Sequence, residues 1–492
     1  MTNETKIPRS DIIVALVVVF GAMAPLLSST MINIAINELV RSFHTNVTTV
    51  QWTVTGYLLA TGVAVPFSSW LLDRFDGKQV FIAGEILFGL GSIFAAISPT
   101  ISLLIISRLV QGFAGGLIMP LLTNLIIRST SPDVMGQMMA IVGLPMIIGP
   151  LLGPVIGGVI IRFVSWQWIF WINVPIVAIS TWLILWQMPK YPALNKTAKM
   201  DFVGILLLIL SSSSLIYAIV KVAHSGNFAN KISLMYTAAG FVLLTFYLIW
   251  AWFKKEHAVL PLTLFHFQSF NGSWVGLFIA GTVLNGAMLL LPLYFQNVRN
   301  LSVIMAALAL LPQGVGMLVS RSLTGRLTDS IGAKYVVLGS VLITFVGTIP
   351  FYWFDTNTSY WWIVIVLFIR GIGAGGILMP LMVDAYTGMD QSQVPAATIG
   401  TRIIQNIGSA FGSAFITTVV TSYSKAQFKT FEHQLRDGHF HVAPANMQHF
   451  VTAHLVNIRL EAFQTGFLVI SLAAVVIILP TLLLTNKMKQ KD

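Results

Sequence analysis

Among the ionisable side chains that stand in otherwise apolar stretches, three are where chemistry is to be sought. Glu85 lies in VFIAGEILFGLG, Arg108 in ISLLIISRLVQG and Asp384 in ILMPLMVDA. A charge in such a setting is costly in a membrane and faces the protein interior or a wet cavity, so it marks a functional position by default. A carboxylate there can take up and release a proton, whereas an arginine keeps its charge and can only offset another charge or brace acceptors. Glu85, Arg108 and Asp384 form the candidate proton-coupling set.

Other chemistry is sparse. The chain has no cysteine, which removes a disulfide framework, a thiolate metal site and a cysteine nucleophile together. Five histidines, His433, His439, His441, His449 and His454, fall within residues 422–462. Their irregular spacing fits a solvated loop or interfacial helix better than a metal site or pH sensor. No nucleotide loop, metal cluster or nucleophile–base constellation is present, so no catalytic residue, metal ligand or cofactor is assigned, and an enzyme is the least expected class.

The elements that must hold these residues follow from composition. With 56% hydrophobic and 9% charged residues, against about a quarter charged in a soluble domain, the solvent of this surface is a lipid bilayer. Apolar runs of roughly 20 residues, the length that crosses a ~30 Å core as a helix, begin at about residues 12, 50, 79, 101, 136, 167, 202, 232, 270, 303, 334, 359, 395 and 463. The first run follows Lys6 and Arg9 but has no small-residue cleavage site, so it reads as a retained span. An even number of spans puts both ends on one side. Lysine and arginine are concentrated in the loops on the side of the termini, which places both termini in the cytoplasm. The net charge of +11 is scattered over those loops, without the basic stripe that would suggest nucleic acid.

The chain also repeats itself. Residues 114–121 read AGGLIMPL and residues 374–381 read AGGILMPL, each preceded by a membrane arginine, Arg108 and Arg370. Asp73 and Lys78 are echoed by Asp329 and Lys334 in the matching loop of the second half. Two halves of six spans are a known product of such repeats, and the separation here leaves room for two more. The expected organisation is a six-helix bundle over 1–190, a linker with two extra spans over 191–260, and a second six-helix bundle over 261–492 with an external loop at 422–462.

Several segments go beyond architecture. In the fifth span residues 149–158 read GPLLGPVIGG, so that Gly149, Gly153 and Gly157 share one helix face and admit a close neighbour, while Pro150 and Pro154 permit bending. Together with Gly158 they suggest a hinge or tight gate, the plainer reading being small-residue helix packing. Asp73, Arg74 and Lys78, with Gly325, Asp329 and Lys334 in the second half, can form charge pairs at helix ends that hold one access state closed. The plainer reading is a solvated loop. Residues 166–175 (WQWIFWINVP), Gln51, Trp52 and Tyr57, the Thr401, Arg402, Gln405 set, and Pro292, Leu293, Tyr294, Gln296 complete the pattern.

On these segments the chain resembles the fourteen-span drug:proton antiporters of the major facilitator superfamily over nearly its whole length. The glycine–proline segment is similar to that family's antiporter motif, 69–78 to its cytoplasmic signature, and Arg108, Gln111, Gly112, Gly115 to its fourth-span motif, where the arginine is linked to proton coupling. The resemblance implies an all-α membrane protein with two six-helix bundles and two inserted helices. It implies proton-driven export of lipophilic or amphipathic compounds by alternating access, with no cofactor beyond the proton gradient. Expected surroundings are a small-molecule substrate, the lipid bilayer of the cell membrane and no nucleic acid, and the organisation is compatible with a monomer. An exporter of an endogenous metabolite or lipid is the alternative, and a non-transporting receptor a more distant one. The departure is in the first span, where residues 27–33 read LSSTMIN and Ser28 stands at the family's aspartate. Serine cannot ionise, which weakens a claim for cationic substrates. Asn33, Tyr57, Gln111, Asn285, Tyr294, Gln296 and Asn406 are the polar and aromatic candidates for the substrate cavity.

Overall fold

In lipid every backbone polar group must be satisfied within its own segment, which leaves helices as the way to bury these apolar runs. The computed structural model describes residues 9–130, 134–193, 195–196, 200–225, 229–437 and 447–485. Lys6, His439 and His441 lie outside them, as do the side chains of Pro150, Pro154 and His449.

The first half comprises α1 (Arg9–Ser42), α2 (Val47–Arg74), α3 (Gly77–Ala96) and α4 (Ile101–Ser129), then a helix broken at Gly143 into α5 (Met135–Val142) and α6 (Leu144–Phe163). The single turn α7 (Trp168–Trp171) and α8 (Asn173–Gln187) close it. A hairpin of α9 (Phe202–Ser225) and α10 (Lys231–Lys254) follows. The second half begins with α11 (Gln268–Asn297), α12 (Val303–Ala309), α13 (Leu311–Ile331) and α14 (Ala333–Val346). It ends with α15 (Tyr360–Gly375), α16 (Leu378–Ala385), α17 (Val394–Arg436), α18 (Met447–Val476) and α19 (Ile478–Thr481). Thirteen stretches of the described residues are long and apolar enough to cross a bilayer. The 20 residues of α6 are also enough for a span, at the fifth expected place.

Starts are set by side-chain caps: Asn46, Asp76, Thr100 and Asn230 accept from the first free backbone N–H groups of α2, α3, α4 and α10, as the helix N-terminus requires.

The two halves repeat one another in packing. α1 lies on α6 as α11 lies on α17, α2 on α4 as α13 on α15, and α3 on α8 as α14 on α18. The same bond recurs at the first contact: Thr30 Oγ1 donates to Gly149 O at 3.2 Å, and Thr282 Oγ1 to Gly408 O at 3.1 Å. Glycine is what lets these helices meet. A Cβ on Gly149 would lie 2.8 Å from Leu26 Cβ, one on Gly157 would lie 3.2 Å from Met31 O, and one on Gly153 would overlap Thr30. That face of the glycine–proline segment therefore packs inside the first half, while Gly158 meets Ile304 of the second.

The loop lysines have a definite task. Lys78 Nζ donates to Leu185 O at 3.0 Å and Met188 O at 2.7 Å, and Lys334 Nζ to Leu482 O at 3.2 Å. Each caps the carbonyl end of the last helix of its own half, where a cation is favoured. Through these bonds the lysines fasten each half to itself. The inserted hairpin packs on α2 and α17, one helix from each half.

Candidate functional site

Arg108 is the centre of the polar interior. It is fully buried on α4, where its Nε donates to Thr53 O at 3.0 Å and its Nη1 to Ser28 Oγ and Gln111 Oε1, both at 3.0 Å. Its guanidinium lies 4.1 Å from the Tyr57 ring centroid. Tyr57 is held from the other side by donating to Pro25 O at 3.0 Å, and Gln111 donates on to Ser92 Oγ at 2.6 Å. Arg108 ties α1 and α2 to α4, and Gln111 extends the node to α3. Arg108 makes no ion pair among the described residues, and its Nη2 is buried without a partner. Ser28 thus stands on the guanidinium itself, so the altered residue of the first span removes the anion that would neutralise this cation. Tyr57 and Gln111, expected in the substrate cavity, belong to this node.

Glu85 has no comparable set of partners. It is fully buried on α3, and neither carboxylate oxygen completes a hydrogen bond among the described residues. It lies with Ser180 over Gly21 of α1, where an added Cβ would fall 2.5 Å from Glu85 Oε1 and 2.5 Å from Ser180 Oγ. The carboxyl is enclosed by α1, α3 and α8 with no cation beside it. Asp384 differs. It is buried at the end of α16 but accepts from Thr485 N at 3.2 Å and from Thr485 Oγ1, so it holds the chain beyond α19. Its counterpart Asn124 donates to Pro120 O at 3.0 Å.

The arginines of the two halves are not equivalent. A Cβ on Gly112 would strike the backbone of Tyr57, and one on Gly371 the backbone of Gln313; a Cβ on Gly91 meets Gln111 N as one on Gly347 meets Arg370 N. By both contacts Arg370 occupies the place of Gln111, about one helical turn from the place of Arg108. It donates to Gln313 Oε1 at 2.6 Å.

Two further arginines cross between the halves and were missed as site residues. Arg402 of α17 donates through Nη2 to Thr123 Oγ1 of α4 at 2.8 Å. Arg321 of α13, which loop topology would have left in solvent, is buried with its guanidinium over Gly143, where α5 and α6 part. The signal was available: Arg321 is four residues before Gly325 in an apolar run, on the face that Gly325 buries. At the end of the same helix Asp329 Oδ2 accepts from Gln137 N at 3.1 Å, a carboxylate at the first turn of α5 where the helix dipole favours it. The halves are closed on each other at this end.

Its counterpart Asp73 is placed differently. It lines a cavity of about 760 Å³ that separates the end of α2 from the start of α17, together with Asp201, Lys254, Asp390 and Gln393. Arg74 is exposed, Gly325 buried. Of the expected cavity residues, Asn33 is exposed, and Gln296 and Asn406 are half-buried. Asn285, half-buried, donates to Ser409 Oγ at 2.8 Å. Tyr294 is buried among Phe295, Phe351, Phe463 and Phe467.

Two repeated halves meeting through α2, α5, α13 and α17, with Arg108 buried at a polar node, agree with what the sequence comparison returns. The Major Facilitator Superfamily pattern matches residues 18–413. The chain belongs to the major facilitator superfamily. It is 31% identical over 396 residues to the multidrug resistance protein B homolog of Mycobacterium tuberculosis (strain ATCC 25618 / H37Rv), covering 80% of this chain and 73% of that one. It is 29% identical to the lincomycin resistance protein LmrB of Listeria monocytogenes, covering 82% and 85%. In fold it is similar to the human organic anion transporter MFSD10 (TETRAN), with a TM-score of 0.62 at 15% identity over 97% of this chain and 100% of that one. As a superfamily member it is a multi-pass membrane transporter of small molecules and not an enzyme.

Proposed function

We propose that this superfamily member exports lipophilic or amphipathic drugs and toxic compounds across the cell membrane, drawing on the proton gradient and alternating access of its two halves. The relatives named for multidrug and lincomycin resistance support the substrate class. The observation that carries the coupling is Glu85, a buried carboxyl with both oxygens unbonded and no cation beside it. Gaining or losing a proton there changes the charge enclosed by α1, α3 and α8, and such a change biases a two-state equilibrium by the difference it makes to each state. Arg108, four residues on from Leu104 on the neighbouring helix, keeps its own charge throughout and holds α1, α2 and α4 in register while Glu85 titrates. Asp384 is the secondary candidate. The lysine and arginine bias of the loops supports cytoplasmic termini, and then the closed end of the structure is the cytoplasmic one. No cofactor is invoked. Both halves lie in one chain, so a monomer suffices.

The test is reconstitution into proteoliposomes with an imposed pH gradient. Gradient-driven movement of a lipophilic dye is expected, and Glu85→Gln should abolish it while leaving downhill exchange. No gradient-dependent flux of any compound tried would sink the antiporter reading; unchanged coupling in Glu85→Gln would remove this acid.

A further inference from the structure

The inserted hairpin does not lie flat against the second half. Between α9 and α10 on one side and α11 and α17 on the other is a cavity of about 880 Å³, separate from the contacts between the two bundles. It is lined along α9 from Leu208 to Val222 and along α17 from Gly400 to Ala414, which at 1.5 Å per residue makes a slot roughly 20 Å long, parallel to the helices. Its mouth is on the outside of the molecule. Leu234, Phe241 and Leu248, spaced by two turns along α10, line it and are 54%, 57% and 44% exposed.

Water is a poor occupant. The hydroxyls on the walls are already used: Ser211 Oγ donates to Gly240 O, Ser212 Oγ to Leu208 O, Thr237 Oγ1 to Ser233 O and Tyr247 Oη to Leu260 O. The indole N–H of Trp274 is left without a partner, and a water needs two to four. No charged residue lines the slot. What fills it must be apolar, and it must come from the surrounding bilayer, since the slot opens at the depth of the spans. A slot roughly 20 Å long, parallel to helices that cross the bilayer, has the shape of an acyl chain lying along the membrane normal. At one end the chain carries Lys221, next to Val222 at the close of α9 and with its Nζ 5.5 Å from the Tyr217 ring centroid, and Lys231, three residues before Leu234 at the start of α10. Their charges fit a phosphate.

We propose that this slot binds an anionic phospholipid, with its acyl chains between the hairpin and α17 and its phosphate at Lys221 and Lys231. The lipid would be a structural wedge that seats the hairpin on α17, the helix that also carries Arg402 to the opposite half. The slot lies outside the path between the bundles, so the proposal is independent of what is transported.

The test uses the full chain purified in detergent, with phosphatidylglycerol and phosphatidylcholine added in turn, read by native mass spectrometry and by melting temperature. Phosphatidylglycerol should remain bound and raise the melting temperature more than phosphatidylcholine. The anionic preference should fall about fivefold for Lys221→Gln or Lys231→Gln alone and roughly twenty- to thirtyfold for both. Ala218→Trp, which fills the slot from α9, should remove retention of both lipids. Equal retention of the two lipids by the native chain, or an unchanged preference in the double lysine variant, overturns the phosphate seat. Full retention in a folded Ala218→Trp variant overturns the slot. The lysine variants lie at the hairpin end and test the proposal even if Ala218→Trp does not fold.

Discussion

Arg108 and Glu85 are both buried ionisable groups that meet no opposite charge among the described residues, and they are satisfied to different degrees. The guanidinium spends its fork on Thr53, Ser28 and Gln111 and rests on Tyr57, whereas the carboxyl has no completed bond. A group so poorly held is sensitive to small displacements. Gly21→Ala introduces no ionisable atom, yet its Cβ would stand 2.5 Å from Glu85 Oε1 and must move it. We expect this variant to lower the ratio of gradient-driven to downhill flux as Glu85→Gln does; an unaltered ratio would show that the position of the carboxyl is immaterial. Both residues were legible in the sequence because a charge amid apolar letters needs no alignment to be noticed. The correspondence of the arginines was not. The repeated letters AGG place Arg108 near Arg370, but backbone contact at Gly112 and Gly371 sets the true register, and only the second equates Arg370 with Gln111. Arg321 was passed over for a related reason: loop cations and buried cations look alike until the helix they sit on has ends.

Helix contacts in this molecule are made where side chains are absent. On α17 Gly412 lies against the backbone of Thr282, and a Cβ there would overlap its carbonyl oxygen. Gly412→Val should cost about 1–3 kcal/mol through overpacking, seen as a lower melting temperature. Gly339 on α14 has nothing within 4 Å of an added Cβ, so Gly339→Ala should instead gain roughly 0.5–1 kcal/mol from helix propensity. A similar response at both sites would mean that glycine here serves flexibility and not approach. The four-residue spacing of Gly149, Gly153 and Gly157 disclosed a close helix contact in the sequence. What it could not disclose was the partner, because spacing fixes a face and leaves open which helix covers it: the face belongs to α1 of the same half, and only Gly158 looks across.

At the scale of the whole molecule, closure at one end rests on a few contacts between the halves: Asp329 at the first turn of α5, Arg321 over Gly143 and Arg402 on Thr123. The chain has no cysteine, so a pair can be introduced without removing native thiols. Gln137→Cys with Asp329→Cys should form a disulfide under oxidation that arrests transport, and reduction should restore it. Undiminished transport by the fully cross-linked protein would show that this end does not open. The fourteen spans, the two halves and the inserted hairpin follow from hydropathy and repeat. The state of closure does not, since hydropathy fixes which segments span and not which ends of the two halves meet.

The lysine caps carry one more consequence. Lys78 joins the start of α3 to the end of α8, and Lys334 the start of α14 to the segment after α19. In each half the third span is thereby fastened at the rim to the end of the last. Both fastenings lie within a half, so two polypeptides severed at the connectors beside the hairpin would retain them.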